Sequence, residues 1–433
     1  MDLVQRSTTT FPVPRPRRRS DKPLQARETG KGFYAVRCLT LLGLLLLSTV
    51  SLFPVYAQAG LIAEHTYTYS QAATFTLTFP PETAPDTATL YLKVGTFTQD
   101  YQTPVSEGLA QQERNLGDEP FPPFTTISYW WDYRDAQGQT HTTEKQHFLY
   151  EDNRFAWETL HDDPITLHWV AGDRVLMNNA LNIAQSALVE IQATLQAPVI
   201  DSATLYIYPS LPDLQSALRL TGYEWVGGQA YPEIGVVLLA ISPSSEAILK
   251  MRRDIPHELT HKVLYDLTGP QGYAALPVWL NEGLASTFEL SPDPAYALAL
   301  QRAAKDGKLI PMATLCYPFP AEADRALLAY AQSQSFVRYL QQTYGWSQIR
   351  ALIDAYKDGL ECSTGVKQTL GADLSALERD WRVWMEQQKQ DSAVSATWTY
   401  VAIIVRDLAP WLILMGLLCM PACLLWMGTR FGR

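Results

Sequence analysis

His257-Glu258-Leu259-Thr260-His261, followed by Trp279-Leu280-Asn281-Glu282-Gly283, is the stretch from which the chain is best read. Two histidines four residues apart on a helix lie one turn apart on the same face, with Cβ atoms about 5–6 Å from each other. At that spacing two imidazoles can share one tetrahedral zinc ion. Between them Glu258 lies beside the metal, where a carboxylate can take a proton from a metal-bound water. Glu282 offers a third ligand from a second predicted helix. Two His and one Glu leave the fourth position open, which is the donor set of a catalytic rather than a structural site. The local context supports a helix: Leu259, Val263, Leu264 and Leu267 give it an apolar side, and Gly269-Pro270 stops it.

Outside this stretch the charge is unevenly spread. The formal net charge of the 433 residues is −10, but residues 1–37 carry nine Lys/Arg against three acids and residues 398–433 carry three against one. What remains, residues 60–397, holds 22 basic and 40 acidic side chains. Such a surface repels a phosphate backbone and excludes nucleic acid as a partner. Cys38 to Ala59 carries no charge, follows an arginine-rich leader and ends in Ala57-Gln58-Ala59, the pattern of a signal peptide; the same residues can serve as an uncleaved signal anchor. Leu408 to Met427 is a second uncharged run of twenty residues, enough to cross about 30 Å of hydrocarbon, and Arg430 and Arg433 behind it favour a cytoplasmic tail. The expectation is an extracytoplasmic domain held at the cell membrane by its C-terminal helix. Cys316 and Cys362 are the only cysteines between these runs; they can pair in an oxidising compartment or stay as two buried thiols.

From Leu61 to about Val170 short alternating runs such as Thr74–Phe79, Thr89–Val94 and Ile127–Tyr133 are separated by turn residues, the pattern of a β-sandwich. His65, His141, His147, His161 and His168 are scattered over it as ordinary strand or surface residues. Near Asp173 the period changes. Val175 to Leu195 has helical spacing, Thr204–Tyr208 and Gly235–Ala240 read as strands, Pro212–Leu220 as a short helix, and nearly everything from Pro277 to Trp384 as helices. The predicted fold is therefore α+β. Its parts are a leader and signal peptide (1–59), a β-sandwich (60–170), a catalytic domain with a mixed β/α lobe and then a helical lobe (171–390), a tether (391–407), and a transmembrane helix with a short tail (408–433).

Residues Pro256 to Glu289 resemble the gluzincin metallopeptidases, most closely the peptidase MA-like family related to aminopeptidase N and thermolysin. Trp279-Leu280-Asn281-Glu282-Gly283-Leu284-Ala285-Ser286 is similar to the WLNEGFAS stretch of the aminopeptidase N family, and the resemblance extends over about residues 165–385. It implies a thermolysin-like zinc domain in which His257, His261 and Glu282 bind Zn2+ and Glu258 is the general base. It further implies that Glu289 orients a ligand histidine, and that Tyr330, in the segment Tyr330 to Leu340, donates a hydrogen bond to the tetrahedral intermediate. The family's amino-group anchor, a GxMEN-like motif, has no counterpart in Gly227 to Gly235. An endopeptidase is therefore expected in preference to an aminopeptidase, with Gly235–Ala240 as an edge strand that pairs with an extended peptide. The alternative is an inactive peptidase-like surface module that binds or scaffolds. The sequence leaves the oligomeric state open.

Overall fold

The computed structural model describes residues 60–80, 82–218 and 227–388. The leader, the tether and the C-terminal apolar run lie outside the described residues. Among the described residues no helix is long and apolar enough to cross a membrane.

The first part is antiparallel. Its strands are β1 (Ile62–Thr68), β2 (Ala72–Thr78), β3 (Thr87–Val94), β4 (Phe97–Ser106), β5 (Leu109–Asn115), β6 (Thr125–Arg134), β7 (Thr140–Thr142) and β8 (Gln146–Tyr150), in the order β1-β2-β5-β4-β3-β6-β7 with β8 also on β6. Alternation decides the inward face: Phe75 and Leu77 of β2, Leu90 and Leu92 of β3, and Ile127, Tyr129 and Trp131 of β6 are all buried. β4 pairs with β3 over residues 97–104 and hands on to β5 through Val105–Ala110 and Ser106–Leu109 alone. The sheet folds over at that handover, so that His65 of β1 stacks on Phe148 of β8 at 4.0 Å between ring centroids.

A second sheet runs β12-β13-β11-β10-β9, made of β9 (Glu158–Asp162), β10 (Ile165–Trp169), β11 (Ala203–Tyr208), β12 (Gly228–Tyr231) and β13 (Val236–Ala240). β10, β11 and β13 are parallel, and the outer strands β9 and β12 are antiparallel to their neighbours. Two details depart from the sequence reading. β9 and β10 fall within residues 60–170 yet belong to this second sheet, because alternation identifies a strand without saying which sheet it joins. Gly235–Ala240, expected at an edge, is instead interior: β13 is buried throughout and lies between β11 and β12. The edge is β12, whose Gly-Gln-Ala-Tyr carries no β-branched residue to announce a strand.

Both faces of this sheet are covered. Leu205, Ile207, Val237 and Leu239 pack with helices α1 (Arg174–Leu195) and α3 (Ala247–Ala275). On the opposite face Tyr206, Tyr208, Val236 and Leu238 share a core with Tyr69, Phe124 and Tyr150 of the first sheet and with Leu214 and Ala217 of α2 (Leu211–Leu218). Asp152 is a polar member of that junction: it is wholly buried, accepts from Tyr208 Oη at 3.1 Å and pairs with Arg154 at 2.6 Å.

The helical half comprises α4 (Val278–Thr287), α5 (Pro294–Asp306), α6 (Ala323–Tyr344), α7 (Trp346–Lys357) and α8 (Cys362–Leu370), with a further helix over 374–388. α3 breaks at Gly269, whose φ of 71° and ψ of 171° fall outside the helical region. Cys316 and Cys362 are joined by a disulfide. α4 crosses α6 closely because Gly283 has no side chain: a Cβ there would stand 2.6 Å from the Ser333 carbonyl oxygen and 2.7 Å from Val337 Cγ2.

Gly283→Ala is therefore expected to destabilise the protein by about 1–3 kcal/mol through overpacking. Denaturant titration checks this, and an unchanged midpoint would contradict the close approach. The disulfide closes a loop across a sequence separation of 46. Replacing both cysteines by serine should cost roughly 2–4 kcal/mol on chain-entropy grounds. The same titration under non-reducing conditions measures it, and equal stability of the two proteins would count against the bridge.

Candidate metal centre

α3 supplies His257, Glu258 and His261, and α4 supplies Glu282. The ligand atoms of His257, His261 and Glu282 all lie within 4.8 Å of one another. Glu282 Oε2 is 3.4 Å from His257 Nε2 and 3.7 Å from His261 Nε2. Ligands at zinc-bond length around a tetrahedral ion are roughly 3.3 Å apart, so these donors fit a small cation with little movement. No other group of three or more such side chains with this geometry occurs among the described residues.

Each imidazole is held from behind. His257 Nδ1 donates to Glu289 Oε1 at 3.0 Å and His261 Nδ1 donates to Asn281 Oδ1 at 3.0 Å. With Nδ1 held by an acceptor in both rings, Nε2 is the nitrogen that faces the centre and would ligate a metal there. Glu289 is the carboxylate that the resemblance implies for this place, and Asn281, the residue beside Glu282 in the opening stretch, is a second orienting group that it does not imply. Its role depends on α4 presenting two successive side chains to the two turns of α3.

A proline puts Glu289 in place. Pro256 lies inside α3 and has no N–H, so the carbonyl of Arg252 loses its helical donor. The Leu290 N–H fills that vacancy at 2.8 Å, which pins the chain next to Glu289 against the turn that carries His257. Glu289 is then almost sealed, its side chain 1% exposed, with Oε2 making no hydrogen bond and Tyr296 Oη 3.5 Å from Oε1.

Charge is crowded here. Burial opposes a proton on His257, but hydrogen bonds to Glu282 and Glu289 outweigh it and hold its pKa well above the ordinary value. Burial lowers the pKa of His261. For Glu282 burial pushes upward, and the His261 charge with the His257 and Tyr330 hydrogen bonds brings the pKa below the usual carboxylate value. Burial drives Glu258 up to about 8, with His257 opposing. Three carboxylates around two imidazoles are an excess of negative charge that a divalent cation offsets, and such a cation would draw Glu258 downward. Tyr330, on α6, packs with its ring centroid 6.1 Å from that of His257. Burial, then the charges of Glu282 and Glu258, lift its pKa far above the usual phenol value, so it is a neutral donor.

The strand β12 closes the other side. Glu258 accepts a backbone hydrogen bond from Ala230, and a Cβ on Gly228 would stand only 2.6 Å from Glu258 Oε1. The resulting cleft of ≈ 370 Å³ is lined by Gly227, Gly228, His257, Glu258, Glu289 and Tyr330, among others. The sequence reading thus named six site residues, His257, Glu258, His261, Glu282, Glu289 and Tyr330, and the fold brings all six together. It did not single out Asn281, Tyr296 or Gly228. For a glycine the only signal is a missing side chain, and its meaning appears once Glu258 stands next to it.

Residues 183–387 match the profile described as the Peptidase MA superfamily. No curated protein matches the chain. Among solved structures, an aminopeptidase N family protein from Idiomarina loihiensis is similar at 9% identity, over 74% of this chain and 76% of that one, with a TM-score of 0.36. An M1 zinc metallopeptidase from Deinococcus radiodurans is similar at 13% identity, over 76% of this chain and 95% of that one, with a TM-score of 0.33. The matched segment spans the helix of the two histidines and the helix of Glu282, so residues 183–387 are similar to the Peptidase MA superfamily, and the chain is a zinc-dependent metallopeptidase.

Proposed function

We propose that this protein is a membrane-anchored, extracytoplasmic zinc endopeptidase, in which His257, His261 and Glu282 hold the metal, Glu258 is the general base and Tyr330 the oxyanion donor. One observation carries the endopeptidase reading. The cleft at the metal centre shares Lys250, Arg253 and Asp293 with a neighbouring cavity of ≈ 500 Å³ that extends to Leu211, Leu249 and Ser291. An enzyme that removes one terminal residue needs a closed end; a continuing groove suits a chain running through. The leader and the apolar run over Leu408–Met427 support export and anchoring.

When bound, zinc supplies Lewis acidity and brings the pKa of a coordinated water toward about 7. The remaining steps belong to the side chains. An extended peptide lies along β12, the edge strand of the second sheet, where the outward-facing backbone of Gly228 can start an added strand. Gly228 keeps that strand close to Glu258, so the scissile carbonyl is delivered to the base. Glu258 accepts the proton of the attacking water, an uptake that its burial favours by stabilising the protonated form, and then passes the proton to the more basic leaving amine. Tyr330 Oη, a hydrogen-bond partner of Glu282, turns to the carbonyl oxygen as that atom gains charge, an interaction that exists only in the transition state. Glu289 and Asn281 keep both rings aimed throughout.

Glu258→Gln is expected to keep its zinc and lose about 10²–10⁴-fold in cleavage of a peptide library, the usual worth of a general base. Tyr330→Phe should lose about 10²–10³-fold in kcat with little change in KM. Cleavage by Glu258→Gln at the wild-type rate would remove Glu258 from the mechanism. A third variant tests the proline. Pro256→Ala restores an N–H that competes with Leu290 for the Arg252 carbonyl, so zinc affinity should fall roughly tenfold or more even though the helix itself gains. Competition with a chromophoric chelator reads this, and wild-type affinity would refute the link from Pro256 to Glu289.

A further inference from the structure

Lys250, Asp254 and Glu258 follow one another at four-residue steps on α3 and so share a face of the helix. That face fronts the glycine pair before and at the start of β12. A Cβ on Gly227 would lie 3.2 Å from Lys250 Nζ and 3.9 Å from Asp254 Oδ2, just as one on Gly228 would meet Glu258. Lys250 and Arg253 line both the cleft at the metal centre and the adjoining cavity. They form the wall past which a bound peptide must run.

The hydrogen-bonding capacity of this wall is lopsided. Arg253 Nε donates to Asp254 Oδ1 at 2.8 Å and Arg253 Nη1 donates to Asp293 Oδ2 at 2.9 Å. Asp293 Oδ1 accepts from the Ala295 N–H at 2.8 Å to cap α5. Asp254 Oδ2 makes no hydrogen bond and is closed to solvent, with the Lys250 ammonium 3.3 Å away. The carboxylates are thus either engaged or covered. Lys250, by contrast, is 31% exposed, and an ammonium that turns one N–H to Asp254 has two more donors to offer a ligand. Eight residues of helix separate it from Glu258, about 12 Å along the axis, a span of roughly four extended residues.

We propose that Lys250 is a specificity residue that binds a carboxylate of the peptide within about four residues of the scissile bond. This rests on the peptidase reading above. The carboxylate is either an Asp or Glu side chain or the free C-terminus of the substrate. Arg253, held in place by Asp254 and Asp293, fixes the wall against which Lys250 moves. Asp324, exposed on the first turn of α6, lines the same cleft from the other side. If that rim governed selection, basic residues would be preferred, so the two possibilities predict opposite outcomes.

The test uses the full-length, zinc-loaded protein and a library of N-terminally acetylated peptides, made once with free and once with amidated C-termini, with cleavage sites read by mass spectrometry. Wild type should favour Asp or Glu on one side of the cut about tenfold or more in both arms. Enrichment confined to the free-acid arm and to bonds near the C-terminus identifies the terminal carboxylate instead, and equally supports the proposal. Lys250→Met should lower kcat/KM for the preferred peptides tenfold to a hundredfold, mostly through KM, the worth of one charge-assisted hydrogen bond. Lys250→Arg should retain the preference and Lys250→Glu should reverse it. A thermal melt establishes that each variant is folded, and Lys250→Gln replaces Lys250→Met if the latter is not. Wild type without an acidic preference, wild type favouring basic residues, or a Lys250→Met profile equal to wild type would each overturn the proposal. A zinc-loaded wild type that cleaves no member of either library would instead overturn the peptidase reading, and this proposal with it.

Discussion

The carbonyl of Arg252, released by Pro256 and captured by the Leu290 N–H, is the contact on which the centre depends. A proline in a helix normally costs the fold about 3 kcal/mol. Here the freed acceptor is reused to draw a second segment of chain onto the helix, and that segment carries Glu289. From Glu289 the order passes to the Nδ1 of His257, and so to the direction of its Nε2. On the other side Asn281 does the same for His261. Each imidazole is thereby locked by a side chain outside the donor set of His257, His261 and Glu282, which fixes the direction of both Nε2 atoms.

The remaining donor depends on backbone contact. Gly283 lets α4 lie against the backbone of α6, so that Glu282 and Tyr330, one from each helix, meet at the same point. Gly228 does the equivalent for β12 and Glu258. β12 is held in turn by β13, and the sheet behind it is braced by the tyrosines that reach the buried Asp152 and its neighbour Glu151. The β-rich part of the chain is thus mechanically tied to the sheet that presents the cleft, since its core is completed by Tyr206, Tyr208 and Leu238.

Much of this was legible in the sequence because it obeys simple periods. His257, Glu258 and His261 needed only helical spacing, and α1 and β11 were delimited by the change of period near Asp173. What stayed hidden depends on partners distant in sequence. The assignment of β9 and β10 to the second sheet is set by pairing with β11, forty residues or so further on. The strand β12 has no β-branched residue and only Tyr231 to favour a strand, so it exists because β13 offers it an edge, which is also why β13 itself is not at the edge. The orienting role of Asn281 and the spacing roles of Gly228 and Gly283 are properties of contact between two elements, and no single window contains both.

The central claim is that two imidazoles and one carboxylate of this chain hold a zinc ion. X-ray absorption at the zinc edge on the purified full-length protein tests it most directly. The account predicts one zinc per chain with two imidazole nitrogens and oxygen ligands, and loss of one imidazole in His261→Ala. Absence of zinc, or a first coordination sphere containing sulfur, would contradict it.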